Sequence, residues 1–474
     1  MRHIVGIVIL TFSFFALDAQ DGDMIFSLKE AQEYALQNNK TLINANKDLL
    51  IADEQIKEAV GNGLPQVSGS VDYMTNFNYE FEFNLSGSSS IDAGLIAQAM
   101  QQTMTNYPNW TADDILDYQA SQAFEAMMQD LVPPATITME DQASANLQIS
   151  QLLFSGQYWM GIQMAKLGKK IAEKSVSSTE LDVRENVANS YFLALVTEKM
   201  VQILEGNKNN LEEIMKHTSD MYRLGMAEET DVDQLKVQLS LLENSKQAME
   251  RNLKLNYNMF RFFMGMKSDT EFKLKDNLDS FIAAINANEL LGTNMSIENN
   301  PTYQILEVQE EIGQKTVDLQ KWSYAPTLAG YYSYKEKLMT TAFDLSPKNA
   351  AGLSLSVPIF AGGTKKAQLS KAKIELDKIN RNKELVKEQL LMQEDQLTFD
   401  LKSAYENYKT QKENVDVAKR LNDKLKQKYT QGLVSSLDLT QANSNYLQAE
   451  SNFVSATLNL LQAKLKLDKL YNKL

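Results

Sequence analysis

The sequence predicts a mainly α chain with a β-barrel part: a tandem duplication of long coiled helical hairpins that together carry four membrane strands. Three observations predict it. Blocks of the first half recur in the same order in the second. In each half a proline opens a stretch of alternating apolar and polar residues. In each half, too, a span of close to seventy residues runs without proline and with little or no glycine.

The duplication is read from three matched blocks. Asn38-Asn39 through Tyr73 aligns without gaps on Asn299-Asn300 through Tyr334, an offset of 261, which sets Pro65 on Pro326. Leu153-Phe154-Ser155-Gly156 matches Ile359-Phe360-Ala361-Gly362 at roughly the later offset. Tyr222-Arg223-Leu224-Gly225, Asp231 and Gln234 match Tyr429-Thr430-Gln431-Gly432, Asp438 and Gln441 at an offset of 207. A longer segment between the first pair of strands accounts for the change in offset.

The elements follow in order. Met1-Arg2-His3, an apolar run over 4–16 and Ala19 before a polar stretch predict a signal peptide over 1–19. The run is shorter than the roughly 20 residues of a membrane-spanning helix. Residues 20–64 are expected to hold the N-terminal and first periplasmic helix, and 65–154 the first β-hairpin with a long external insert at 86–137. From Val67 to Leu85 the odd positions are largely apolar or aromatic, and the even ones Ser, Asp, Asn and Glu with Met74 among them. The return strand alternates Ala143, Ala145, Leu147 and Ile149 with Ser144, Asn146, Gln148 and Ser150. An apolar face and a wet face suit either a half-buried sheet or a membrane barrel with a polar lumen. The insert begins with a serine-rich run and has helix-like pieces near 95–104 and 115–131, and is expected as a surface loop.

Residues 155–265 are expected as the first long helical hairpin, 266–298 as an equatorial linker and 299–325 as the second-repeat helix. The second β-hairpin is expected at 326–360, with Leu353, Leu355, Val357 and Ile359 on one face, and the second long hairpin at 361–474. Between Gly363 and Gly432 there is neither glycine nor proline. One helix of that span is about 100 Å long at 1.5 Å per residue. Leu397, Leu401, Ala404, Tyr408, Gln411, Val415, Ala418, Asn422, Leu425 and Tyr429 alternate in steps of four and three. That 3.5-residue repeat coils a helix around its neighbours. Each long helix reverses at a glycine and returns over 230–263 or 437–470.

Four strands cannot close a barrel, and lipid does not tolerate open sheet edges, so other copies of the chain must complete it. Two, three or four copies satisfy that requirement; three give twelve strands and room for water.

The formal net charge is −14 with no basic stripe, which argues against a nucleic-acid partner. Cysteine is absent, which removes disulfides, thiolate metal sites, cysteine nucleophiles and a lipidated N-terminal cysteine. Beyond the signal segment there is one histidine, His217, and neither a phosphate loop nor a nucleophile elbow. The expectation is no enzyme, no cofactor and no resident metal. The Lys/Glu run 378–394 reads as a solvated helix face laced by i,i+4 pairs.

The repeat blocks resemble the TolC-like outer-membrane efflux family. The most specific marks are Tyr222-Arg223-Leu224-Gly225 with Asp231 and Tyr429-Thr430-Gln431-Gly432 with Asp438, followed by Gln441-Ala442-Asn443. Pro65, Pro326 and Phe360-Ala361-Gly362-Gly363 are similar to further family marks. The resemblance runs from about Ser27 to Leu474. It implies a homotrimer closing as a twelve-stranded β-barrel on a twelve-helix α-barrel. The barrel would sit in outer-membrane lipid of a Gram-negative bacterium and the helices would extend into the periplasm. The trimer would serve as the exit duct of a tripartite efflux or secretion system. Its partners would be a periplasmic adaptor (membrane fusion) protein and an inner-membrane pump. The adaptor would meet the tip loops at Gly225, Met226, Asp231, Gly432, Leu433 and Val434. The resemblance makes Asp438 and Gln441 the gate candidates. The family's second acidic ring position is Gln441 here, and its basic gate position is Val434, so the charged lock is thinner. Asp438 and Asp231 also suit helix caps after the glycine turns. The rival reading is a periplasmic coiled-coil adaptor without a pore, which does not account for the duplication.

Overall fold

The structure is a computed structural model and describes residues 24–77, 79–83, 101, 105, 135–283, 296–339 and 346–474. The expected signal peptide, most of the 86–137 insert with its helix-like pieces, and 284–295 lie outside the described residues. The chain divides into a helical unit (Met1–Glu58, Met160–Lys321, Gly363–Leu474) and a strand unit (Ala59–Trp159, Trp322–Gly362).

The duplication is visible element by element. Helix α2 (Lys40–Gly61) and helix α6 (Pro301–Trp322) each have 22 residues, and their ends differ by 261 in number. The long helices α3 (Gly156–Arg223) and α7 (Thr364–Thr430) have 68 and 67 residues. The return helices α4 (Glu229–Met264) and α8 (Ser436–Leu470) have 36 and 35. The expected 3.5-residue positions on α7 are its inward face. Leu397, Leu401, Tyr408, Asn422 and Tyr429 are buried, and none of the other five is exposed.

One asparagine per repeat joins a short helix to its return helix. The Asn39 side-chain carbonyl accepts from the N–H of Thr41 and of Leu42, at 2.8 and 3.2 Å. Its amide donates to the Phe263 carbonyl at 2.7 Å. The Asn300 side chain accepts from Thr302 and Tyr303 and donates to the Leu470 carbonyl. Each caps the first turn of one helix and satisfies a carbonyl at the end of another, groups that a helix leaves unpaired.

The main hydrophobic core of the helical unit draws on helix α1 (Leu28–Asn38), α2, α3, α4 and α8, with Tyr191, Phe260 and Met264 fully buried. Strand β1 (Met24–Phe26) pairs in parallel with strand β6 (Phe272–Leu274), a pair the sequence reading did not anticipate. The Tyr191 hydroxyl donates to the Phe26 carbonyl at 3.0 Å, and Asp276 accepts from the Leu28 N–H at 2.8 Å. Burial pushes the Tyr191 phenol well above its ordinary range, so it stays a donor. Of the expected equatorial linker the described part includes a short helix, α5 (Leu278–Ala283).

In the strand unit, β2 (Gln66–Met74), β5 (Gln142–Phe154), β7 (Thr327–Lys337) and β8 (Asn349–Ser356) form one antiparallel sheet in that order. The register sets Val67, Ile149, Tyr332 and Ala351 in one row, and Ser68, Gln148, Ser333 and Ala350 in the next. Successive residues point to opposite faces, so one face carries Val, Leu and Ile with Tyr73, Tyr332 and Tyr334, and the other Ser, Asn and Gln with Tyr331 among them. On the polar face Ser333 donates to the Asn146 side chain at 2.8 Å. Within the chain, β2 and β8 are the edges of this sheet.

Two expectations about the strands change. The alternation over 67–85 predicted one strand, but the ladder stops at Met74. Asp141 accepts from the Asn76 N–H, the Asn76 amide donates to the Glu140 carbonyl, and Phe77 takes a left-handed φ of 51°. Those local bonds turn the chain. It resumes as β3 (Tyr79–Phe83), paired with β4 (Ala135–Met139). Residues 135–137 of the segment expected as an insert are therefore strand. In the second half the alternation runs on to Ile359, but β8 ends at Ser356. Pro358 has no N–H to continue a ladder.

Candidate functional site: the paired turns of the helical hairpins

Both hairpins reverse through the same backbone device. Gly225 and Gly432 have φ of 72° each, a left-handed conformation that costs other L-residues about 1 kcal/mol or more. After the first long helix, the Met226 N–H returns to the Met221 carbonyl at 2.8 Å and the Gly225 N–H to Tyr222 at 2.9 Å. After the second, Leu433 returns to Lys428 at 3.0 Å and Gly432 to Tyr429 at 2.9 Å. This is the left-handed glycine cap that closes off the last carbonyls of a helix.

The next helix then starts on an aspartate. Asp438 accepts from the Ser435 hydroxyl at 2.7 Å and from its N–H at 3.3 Å, while the Asp438 N–H donates back to Ser435 Oγ at 3.1 Å. Asp438 thus occupies a reciprocal cap, with its carboxylate at the positive end of α8. Asp231 repeats half of this arrangement, accepting from the Glu228 N–H at 3.2 Å. Its other oxygen accepts from the Ser436 hydroxyl at 2.5 Å and so ties the two turns together. Gln441 lies one turn into α8, exposed, with its amide on Asn445 at 2.9 Å. Val434 packs against the core of the tip, whereas Met226 and Leu433 stand two-thirds exposed (68% each). Leu224 and Leu437 extend the same apolar surface.

Behind the turns lies a core of Leu204, Leu211, Ile214, Leu235, Leu242, Tyr429 and Leu439. The Tyr429 hydroxyl is 2.5 Å from Thr218 Oγ1 in that core. Lys426 donates to Glu213 at 2.7 Å and holds that carboxyl below its ordinary range. Glu213, Lys426, Tyr429 and His217 line a cleft of about 230 Å³, with the His217 ring 5.7 Å from that of Tyr429. His217 is exposed at the cleft rim.

The structure therefore brings together Gly225, Met226, Asp231, Gly432, Leu433, Val434 and Asp438, and sets Gln441 just beyond them. Sequence reasoning missed the Asp231–Ser436 bond and the Thr218–Tyr429 pair. Tyr429 was legible as a seam position from its 3.5-residue spacing; Thr218 carries no comparable signal.

Residues 293–473 match the family described as outer membrane efflux protein. The chain is 21% identical over 298 residues to the outer membrane protein TolC of Vibrio cholerae, covering 58% of this chain and 67% of that protein. Among solved structures, the Campylobacter jejuni CmeC outer membrane channel superposes with a TM-score of 0.65 at 16% identity, over 94% of this chain and 85% of that one. CusC, whose crystal structures address folding and transmembrane channel formation, superposes with a TM-score of 0.68 at 15% identity, over 96% and 95%. The structural likeness covers both repeats, and the family match lies in the second.

Proposed function

We propose, for a chain whose residues 293–473 match the outer membrane efflux protein family, that the whole protein is a TolC-like efflux channel of the outer membrane. The observation that carries the proposal is the strand unit. Its four-stranded sheet has one apolar, tyrosine-bearing face, one polar face and two edges unpaired within the chain. Among the described residues no helix is long and apolar enough to cross a membrane, so in this reading the sheet does. Lipid does not tolerate a free edge, so β2 of one copy pairs with β8 of the next until the ring closes. Three copies make twelve strands, with the polar face inward around water.

The helical hairpins in this reading form the periplasmic wall, and their turns are its end. Asp438, three times repeated around a narrow throat, places like charges near one another; their repulsion and their attraction for cations make it the leading gate residue. Gln441 adds a polar but uncharged ring. The exposed Leu224, Met226, Leu433 and Leu437 offer an apolar knob to a periplasmic adaptor, which couples the duct to an inner-membrane pump. Substrates pass through the lumen unchanged, and no step requires a catalytic group.

The test is the mass of the detergent-extracted protein together with adaptor capture. The proposal expects extraction from the outer-membrane fraction at the mass of three chains, and loss of adaptor co-purification when Met226→Asp and Leu433→Asp are combined. A water-soluble monomer would overturn it in favour of a pore-less coiled-coil protein.

A further inference from the structure

The duplication makes each chain two similar units in succession. In a closed ring of copies, first and second repeats must therefore alternate. The face that the first repeat shows to the second within one chain has a counterpart on the second repeat, 207 residues on, which faces the first repeat of the next copy. Contacts seen inside the chain thus give the contacts between chains, residue by residue. This step rests on the ring proposed above.

Inside the chain the contact is ionic. Lys469 on α8 pairs with Asp182 at 2.5 Å and Glu185 at 2.6 Å on α3. These groups line a cavity of about 620 Å³ beside Asn300. Burial pulls the Lys469 ammonium down, but the two carboxylates outweigh it and leave the pKa raised. At an offset of 207 the counterparts are Phe262 for Lys469, Gln389 for Asp182 and Met392 for Glu185. A smaller cavity, about 220 Å³, lies at the matching place beside Asn39, and Phe262 lines it. Phe262 is 75% exposed and Met392 68% exposed in the single chain. Large apolar side chains exposed at matched positions on two long helices call for a cover. The ion pair of Lys469 with Asp182 and Glu185 has no counterpart at the three matched positions, which are Phe262, Gln389 and Met392.

We propose that Phe262 of one copy packs on Met392 and Gln389 of the next copy, so that the seam between copies is apolar where the seam within each chain is an ion pair. The same map continues toward the turns. Within the chain Ile214 lies beside Tyr429 in the core of the tip; between copies the matched residues are Leu421 and Tyr222, both exposed. Thr218, bonded to Tyr429, is matched by Leu425, which cannot make that bond to Tyr222. The between-chain seam is therefore held by apolar contact at both levels.

The chain contains no cysteine, so Phe262→Cys with Met392→Cys adds the only two thiols. Oxidation with copper phenanthroline in the membrane should convert the double variant into disulfide-linked multimers on a denaturing gel, while each single variant stays at the monomer mass. Native mass in detergent is read on the same samples. Multimeric mass without cross-linking would overturn the seam and leave the ring standing; monomeric mass would overturn both. A second pair of variants reads the chemistry. Phe262→Lys or Met392→Glu alone should lower the temperature at which the multimer dissociates in SDS. The two together, which copy the ion pair found within the chain, should restore it toward the parent value. Independent, additive losses would contradict the contact.

Discussion

The two hairpins share a backbone plan and differ in how they are fastened. In the first, α3 and α4 are cross-linked by ions. Lys208 pairs with Glu243 at 2.9 Å and Lys246 with Glu205 at 2.5 Å. At the matching positions the second hairpin has Val415 with Glu450, and Phe453 with Lys412. There Phe453 stacks against Tyr408 at 5.4 Å, and Glu450 instead accepts from Tyr446 and from Asn207 of the first repeat. The tips differ in the same sense. Tyr429 is buried on Thr218, whereas its counterpart Tyr222 is exposed. Duplication supplied one scaffold twice; the side chains then diverged according to what each face meets. A position facing the sister repeat and its counterpart facing elsewhere need different chemistry even where the backbone is the same.

Substitutions at matched positions whose surroundings differ should therefore have unequal effects in the two hairpins. The largest expected effect is at the tyrosines. Tyr429→Ala removes a buried ring and its contact with the Thr218 hydroxyl, which keeps its bond to the Ile214 carbonyl, and should cost about 3 kcal/mol, the scale of aromatic-to-alanine changes in a core. Tyr222→Ala should cost well under half of that in the monomeric chain, and denaturant unfolding of both variants measures the difference. Equal losses would mean the tips are not distinct.

The glycine turns should behave alike. Gly225→Ala and Gly432→Ala each place a Cβ at a left-handed φ, with an expected cost of about 1 kcal/mol apiece. The caps should not behave alike. Ser435→Ala removes a hydroxyl that both donates and accepts, for about 1 kcal/mol. At Glu228 the backbone N–H bonds to Asp231 and the carboxylate accepts from the exposed Thr230 hydroxyl at 3.2 Å, so Glu228→Ala should cost less than Ser435→Ala. Hydrogen exchange at the first turn of each return helix reads this directly.

Two smaller effects concern charge in the first hairpin. Added salt should loosen α3 against α4 more than α7 against α8, seen as faster exchange, because the first pair depends on ions that salt screens. Glu198 is the pH-dependent member. Burial raises its carboxyl above the ordinary range, against the lowering effect of the Tyr257 hydroxyl that bonds to it. A raised folded-state value means this group favours the fold fully only below its unfolded pKa, and that contribution is lost as pH rises through the folded value. Glu198→Gln should therefore stabilise the protein at neutral pH, with the gain vanishing near pH 4, in paired thermal melts.

Much of this plan was legible in the sequence because it rests on periodicity. The step of four and three from Leu397 to Tyr429 marked the inward face of α7, and the offsets of 261 and 207 located matched helices whose ends agree to within a residue or two. What escaped depends on partners distant in sequence. Strand β1 has three residues, too short for a pattern, and is defined by its pairing with Phe272–Leu274. The break after Met74 depends on Asp141 reaching back to Asn76. At the site, the sequence allows Asp438 two roles, an acidic ring position and a cap. The cap is present in the chain, and the ring requires copies. The tie between Asp231 and Ser436 could not be read, because a hydroxyl and a carboxylate 205 residues apart leave no pattern in one sequence.

In the function proposed above, copies of this chain enclose a water-filled path across a membrane, narrowed at the turns. Planar-bilayer conductance of the detergent-purified protein tests it most directly. The account predicts small, cation-preferring single-channel currents that increase when Asp438 is changed to Ala. A correctly assembled, membrane-inserted protein that passes no current, with Asp438 or with Ala in its place, would contradict it.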